Sequence, residues 1–187
     1  TYDNDRSIEN DELNDGLWCG IALPTAIINI KVNQRGNIYN GLRLSECIAA
    51  SGVSENDITS LEIIRGVLPI TALVESVKNL PFLQTLKISS SIIYRGEFTD
   101  GLFSGFNFVS ITLPSVTTIP QEFFKDCINL KNVEINDAKK VCSSAFKGCT
   151  SLEMISLNVD TFEGDSIFEG CTSLSSVSIT NLVTVDP

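Results

Sequence analysis

The sequence predicts an α/β repeat solenoid, with a parallel β-sheet on one face and short helical or 3₁₀ return segments on the other. Two observations carry this expectation. Phe124, Phe146 and Phe168 recur at a step of 22 residues, and so do Cys127, Cys149 and Cys171. Each of these pairs is followed by a leucine and then by a short alternation of apolar and polar residues. A period of this size means that one supersecondary unit is being stacked, because a single copy cannot bury its own apolar face.

The columns are Phe124/146/168, Cys127/149/171, Leu130/152/174, Val133/Ile155/Val177 and Ile135/Leu157/Ile179. A fourth, weaker copy obtained by subtracting another 22 would place Leu102, Gly105, Phe108, Ile111 and Leu113 in register. Upstream, Leu83, Leu86 and Ile88 form one further unit, and Ile58, Leu61 and Ile63 another. The first apolar positions of the six units are 58, 83, 108, 130, 152 and 174, so the step is 25, 25 and then 22 three times. Residues 58–187 are therefore expected to be the solenoid, since insertions of a few residues in surface loops cost little closure entropy. Within each unit the alternation has period two, which puts one face inward and the other out. The Phe and Cys three apart suit one helical or 3₁₀ turn with both side chains pointing inward.

Residues 19–57 read as an N-terminal strand–helix cap. Ala26–Val32 alternates in part like a strand, Arg35-Gly36-Asn37 reads as a turn, and Gly41–Ala50 is helix-like up to Gly52. A second helix is expected within 68–80, where Leu73, Val77 and Leu80 lie at helical spacing. Residues 1–18 carry Asp3, Asp5, Glu9, Asp11, Glu12 and Asp15 against Arg6 alone, a net of −5 out of −10 for the whole chain. Polar, acidic and aperiodic, they are expected to form a disordered tether; their spacing lacks the glycine and final Glu of a calcium loop.

Composition removes several function classes. Of the 187 residues, 43% are apolar, enough for a continuous core, and mean hydropathy is +0.17. No apolar run reaches the roughly 18–20 residues of a bilayer span, so no membrane span is expected. A net charge of −10 and a pI near 4.4 argue against nucleic acid as a partner. The absence of histidine removes Ser-His-Asp and Cys-His nucleophiles and the commonest zinc ligand. No metal, cofactor or catalytic residue is expected. The carboxylates are scattered over separate units, without the facing pair that glycoside hydrolysis needs.

Six cysteines raise the question of disulfides. Cys127, Cys149 and Cys171 form a column and read as buried free thiols; a bridge between adjacent units would leave a third equivalent cysteine over. Cys142 has no assigned direction, and Cys19 and Cys47 could pair.

The copy Ala145-Phe146-Lys147-Gly148-Cys149-Thr150-Ser151-Leu152-Glu153-Met154-Ile155-Ser156-Leu157 resembles the BspA-like, or Treponema-type, leucine-rich repeat, whose hallmark is A-F-x-x-C-x-x-L followed by hydrophobic-x-hydrophobic. Ile167–Leu174 and Phe123–Leu130 are similar to it as well, and the two units upstream look like the irregular first repeats of such proteins from gut Bacteroidota. The resemblance implies a leucine-rich-repeat solenoid, export to the cell surface or periplasm, often as a lipoprotein with an upstream lipid anchor, and a role in adhesion or protein binding. It implies no catalysis. Two departures stand out: of the prolines that often follow the strand in the family only Pro114 is present, with Asn136, Asn158 and Thr180 elsewhere. A late apolar column, Ile119, Val141 and Val185, is broken by Glu163, with Phe162 expected to turn in instead.

Binding candidates follow from the alternation. The outward strand positions are rich in hydroxyls and poor in the Trp, Tyr and Arg that dominate protein hot spots. They read either as a solvated face or as a broad polar contact surface for an unknown protein or glycan, centred on Asn132, Glu134, Met154 and Ser156. Trp18, Tyr39 and Tyr94-Arg95 are further anchor candidates. Phe124, Cys127, Leu130, Phe146, Cys149, Leu152, Phe168, Cys171 and Leu174 are the expected structural core. Because the last unit shows no polar cap, end-to-end self-association through it is a further expectation.

Overall fold

The structure, a computed structural model, describes residues 6–8, 18–22, 27–31 and 54–186. It divides into two compact units, Thr1–Glu97 and Phe98–Pro187.

In the first unit, β1 (Arg6–Ile8), β2 (Trp18–Ala22) and β3 (Ile27–Lys31) form an antiparallel meander. At Arg6–Ile8 this differs from the unpaired tether expected of the acidic segment. The strand expected near Ala26–Val32 is β3. The helix expected at Gly41–Ala50, the Arg35-Gly36-Asn37 turn, Tyr39 and Cys47 lie outside the described residues.

A 3₁₀ turn at Glu55–Asp57, capped by the Ser54 hydroxyl accepting from the Asn56 amide at 3.3 Å, leads into β4 (Ser60–Pro69). β4 pairs in parallel with β3, and with β5 (Thr85–Ile88) in the register Leu61↔Leu86 and Ile63↔Ile88. That register is the 25-residue step. The strand runs on past Ile63, the last apolar position of its unit, and its second half pairs in parallel with β6 (Ile92–Arg95). Pro69 stops it and takes the N-cap position of helix α1 (Ile70–Lys78), where its missing N–H costs nothing. The buried face of α1 is Ile70, Leu73, Val74 and Val77, and the core continues through Leu80, Leu83, Leu86 and Ile88.

The second unit is a solenoid of regular rungs. Each rung has an inner strand: β7 (Ser110–Thr112), β9 (Asn132–Glu134), β11 (Met154–Asn158) and β13 (Ser176–Thr180). β7 pairs with β9 and β11 with β13, both in parallel at a step of 22. Each rung also has a second short strand: β8 (Thr118–Ile119), β10 (Lys140–Cys142), β12 (Thr161–Glu163) and β14 (Thr184–Asp186), which form one continuous parallel ladder. In it Phe162 lies opposite Val141 and Val185 and is buried, so the late apolar column is completed by a local slip in step.

The return segment is a row of turns bonded sideways. Within a rung, the Cys127 amide donates to the Phe124 carbonyl and Cys149 to Phe146, each at 3.1 Å, giving one 3₁₀-like turn per copy. Between rungs, Phe124 N–H donates to Ala145 C=O (2.8 Å), Phe146 to Ile167 (2.9 Å) and Gly148 to Glu169 (2.7 Å). The backbone of the return turns is thus bonded from rung to rung, as buried backbone requires. The first rung corrects one expectation. Phe103, not Leu102, stacks under Phe124, at 6.0 Å and 11°, and the Phe103 amide donates to Phe123. The turn step there is 21, and Gly105 accordingly aligns with Asp126, its amide bonding to Lys125 C=O.

Candidate functional site

The solenoid interior is an aromatic and thiol column, and it sets the outer face. Phe103, Phe124, Phe146 and Phe168 stack ring on ring, with centroids 6.0, 5.4 and 5.5 Å apart. Phe124, Cys127, Leu130, Phe146, Cys149 and Leu152 are fully buried; Phe168, Cys171 and Leu174, on the last rung, are half-buried. Each thiol of the column donates to the carbonyl of the phenylalanine one rung earlier: Cys127 Sγ to Phe103 at 3.0 Å, and Cys149 to Phe124 and Cys171 to Phe146 at 3.1 Å. Burial pushes the Cys127 thiol up to about 12; Cys149 is raised by its interaction with the Cys171 sulfur and then by burial. All four described cysteines of this unit, Cys142 included, are free.

With the core positions fixed by period two, alternate residues of the inner strands face solvent. Asn132, Glu134, Met154 and Ser156 are all exposed, on the adjacent strands β9 and β11. Met154 is 65% exposed, an isolated apolar side chain on a polar face. Glu134 is held in place: one carboxylate oxygen accepts from the Thr112 hydroxyl and the other from Asn136 Nδ2, both at 3.2 Å. Further along, Asn158 Oδ1 accepts from Asn181 Nδ2 at 2.7 Å and from the Thr180 hydroxyl at 3.4 Å. The asparagines that replace the family's prolines at 136 and 158 therefore order the rim of this face, a role their spacing alone did not signal.

Other candidates scatter. Trp18 begins β2 and Tyr94 sits in β6 of the first unit, where burial raises its phenol. The second ladder presents Lys140 and Glu163 as an ion pair across rungs, and Lys147 bridges to Glu169 at 2.9 Å. These exposed pairs contribute little to stability individually. Among the described residues, no group of three or more Cys, Asp and Glu is arranged to hold a metal ion, and no helix is long and apolar enough to cross a membrane.

Comparison with known proteins agrees with this architecture. Residues 96–186 match the family described as the BspA type leucine rich repeat region, in six copies. This stretch is a BspA-type leucine-rich repeat region. The BspA-type match begins at residue 96, after the apolar strand positions of the two units of 25-residue step, Ile58–Ile63 and Leu83–Ile88. The chain is also similar to a leucine-rich cell surface protein from Faecalibacterium prausnitzii, with 18% identity, a TM-score of 0.37 and coverage of 95% of this chain. It spans 40% of that protein's length. No curated protein matches it.

Proposed function

We propose that the chain is a non-catalytic interaction or adhesion module of an exported surface protein, contacting a protein or glycan through the outer face of β7, β9, β11 and β13. What supports this is the BspA-type repeat together with one local observation: Glu134 is pre-positioned by Thr112 and Asn136, on the strand neighbouring the one that carries the exposed Met154. A carboxylate fixed before binding loses little conformational freedom on contact, and Met adapts to varied surfaces. The test is a glycan array and a panel of purified matrix proteins, probed with the chain and with a variant combining Asn132→Ala, Glu134→Gln, Met154→Ala and Ser156→Ala. Binding that falls at least about tenfold in the variant, the scale of one or two contact residues, is expected. Equal binding by both proteins would move the site elsewhere. No binding by either would leave a spacer of the cell envelope as the reading.

A second reading is favoured by the last rung. Val177, Ile179, Leu182, Val183 and Val185 are exposed there, by 36–77%, and Leu174–Leu182 carries no charge to blunt the β13 edge. We propose that a second copy covers this rung, and light scattering over a range of concentrations tests it. A mass that stays monomeric throughout would exclude the association.

A further inference from the structure

The thiol column has chemistry beyond packing. Cys149 and Cys171 occupy equivalent places in adjacent turns that are bonded directly to each other, Phe146 N–H to Ile167 C=O and Gly148 N–H to Glu169 C=O. A Cβ built on Gly170 would lie 3.5 Å from both Gly148 Cα and Gly148 N, so these turns are in van der Waals contact. Neighbouring hydrogen-bonded segments run about 4.8 Å apart, inside the roughly 4.4–6.8 Å Cα separation that a disulfide spans. The two sulfurs are also neighbours, close enough for the Cys149 thiol to turn from Phe124 C=O and donate to Cys171.

We propose that Cys149 and Cys171 are a dithiol pair, which a low-molecular-weight disulfide such as oxidised glutathione converts to a disulfide stapling the last rung to the one before it. The pair is selected by access. Cys127 and Cys149 are fully buried, whereas Cys171 is half-buried and is the only member of the column that solvent reaches. Once the Cys149 thiol turns from Phe124 C=O to Cys171, its hydrogen bond lowers the Cys171 thiol, as an attacking sulfur requires, while burial keeps Cys127 protonated.

In the first step the Cys171 thiolate attacks one sulfur of the small disulfide; a mixed disulfide forms and one small thiolate leaves. The leaving thiolate takes the Cys149 proton, and the Cys149 sulfur attacks the Cys171 sulfur. The protein disulfide forms and the second small thiolate departs. Two protein thiols are oxidised and one small disulfide is reduced to two thiols, so the exchange balances. Bridged Cβ atoms lie about 3.5–4.5 Å apart, so the two rungs approach by roughly half an ångström.

The experiment is native oxidation of the whole chain with oxidised glutathione, alkylation without reduction, and mass spectrometry of the peptides. The expected result is a Cys149–Cys171 link, with Cys127 alkylated only after denaturation. In Cys149→Ser, a glutathione adduct should persist on Cys171, because nothing resolves it; in Cys171→Ser, neither link nor adduct should form on Cys149. Circular dichroism confirms that each variant is folded. Full alkylation of Cys149 and Cys171 after oxidation, or a Cys127–Cys149 link formed as readily, would overturn the proposal.

Discussion

Asp126, Gly148 and Gly170 share one position of the turn, all at positive φ (59°, 75° and 75°), where a Cβ is unfavourable. Their substitutions should nevertheless differ. A Cβ on Gly148 would collide with the Asp126 carboxylate as well as meeting backbone strain, whereas on Gly170 it meets only ordinary contact with Gly148. Gly148→Ala is expected to destabilise by about 2–3 kcal/mol and Gly170→Ala by about 1 kcal/mol; Asp126→Gly should stabilise by several tenths or more. Urea midpoints at constant slope would rank the three. The same scale gives a pH dependence. Cys127 holds its proton to about 12 in the folded chain, against 9.0 for an ordinary thiol. Between those values the unfolded chain binds fewer protons, so stability falls as pH rises from about 9. The fall should be shallower in Cys127→Ala, measured by urea unfolding across that range.

At the scale of elements, the stacked phenylalanines run through the core of the second unit from rung to rung. Phe146 has a stacked ring on each side and is fully buried, so Phe146→Ala should cost about 3–5 kcal/mol. Phe168 has one stacked neighbour and is half-buried, and its loss should cost roughly half as much; thermal unfolding of both variants decides this. The contrast also shows what a sequence can and cannot announce. The inner strands and α1 were legible, because Leu61/Leu86 and Leu73/Val77/Leu80 keep strict spacing. The second ladder was visible only as the apolar column Ile119, Val141 and Val185, since strands as short as Thr118–Ile119 have no period to read. The slip that brings in Phe162 and the exchange of Leu102 for Phe103 both come from turns that lose or gain one residue. Such turns are set by backbone geometry, Ser166 at φ 56° following Gly164 at φ 88° in the one after Phe162, and not by glycine alone. The candidate face was legible by alternation, but the hold of Thr112 on Glu134 depends on rungs meeting across 22 residues of chain.

Over the molecule as a whole, charge is uneven. Beyond Lys147 the chain carries Glu153, Asp160, Glu163, Asp165, Glu169 and Asp186 and no basic residue. Two copies meeting at the last rung would therefore repel, and added salt should promote their association, because the screening length is only about 10 Å at 0.1 M. Val177→Asp and Val185→Asp should each abolish it, read by light scattering at low and high salt. The sideways bonding of strands and turns has a mechanical consequence too. Each rung is held by the next and by nothing farther along the second unit, so a chain pulled from its C-terminus should give way one rung at a time. Each release frees 22 residues, or roughly 75 Å of slack. In an optical trap, extension should proceed in repeated steps of that size, and a single rip through the whole unit would contradict it. A tether built this way dissipates a sudden load in instalments while the rungs behind it stay folded.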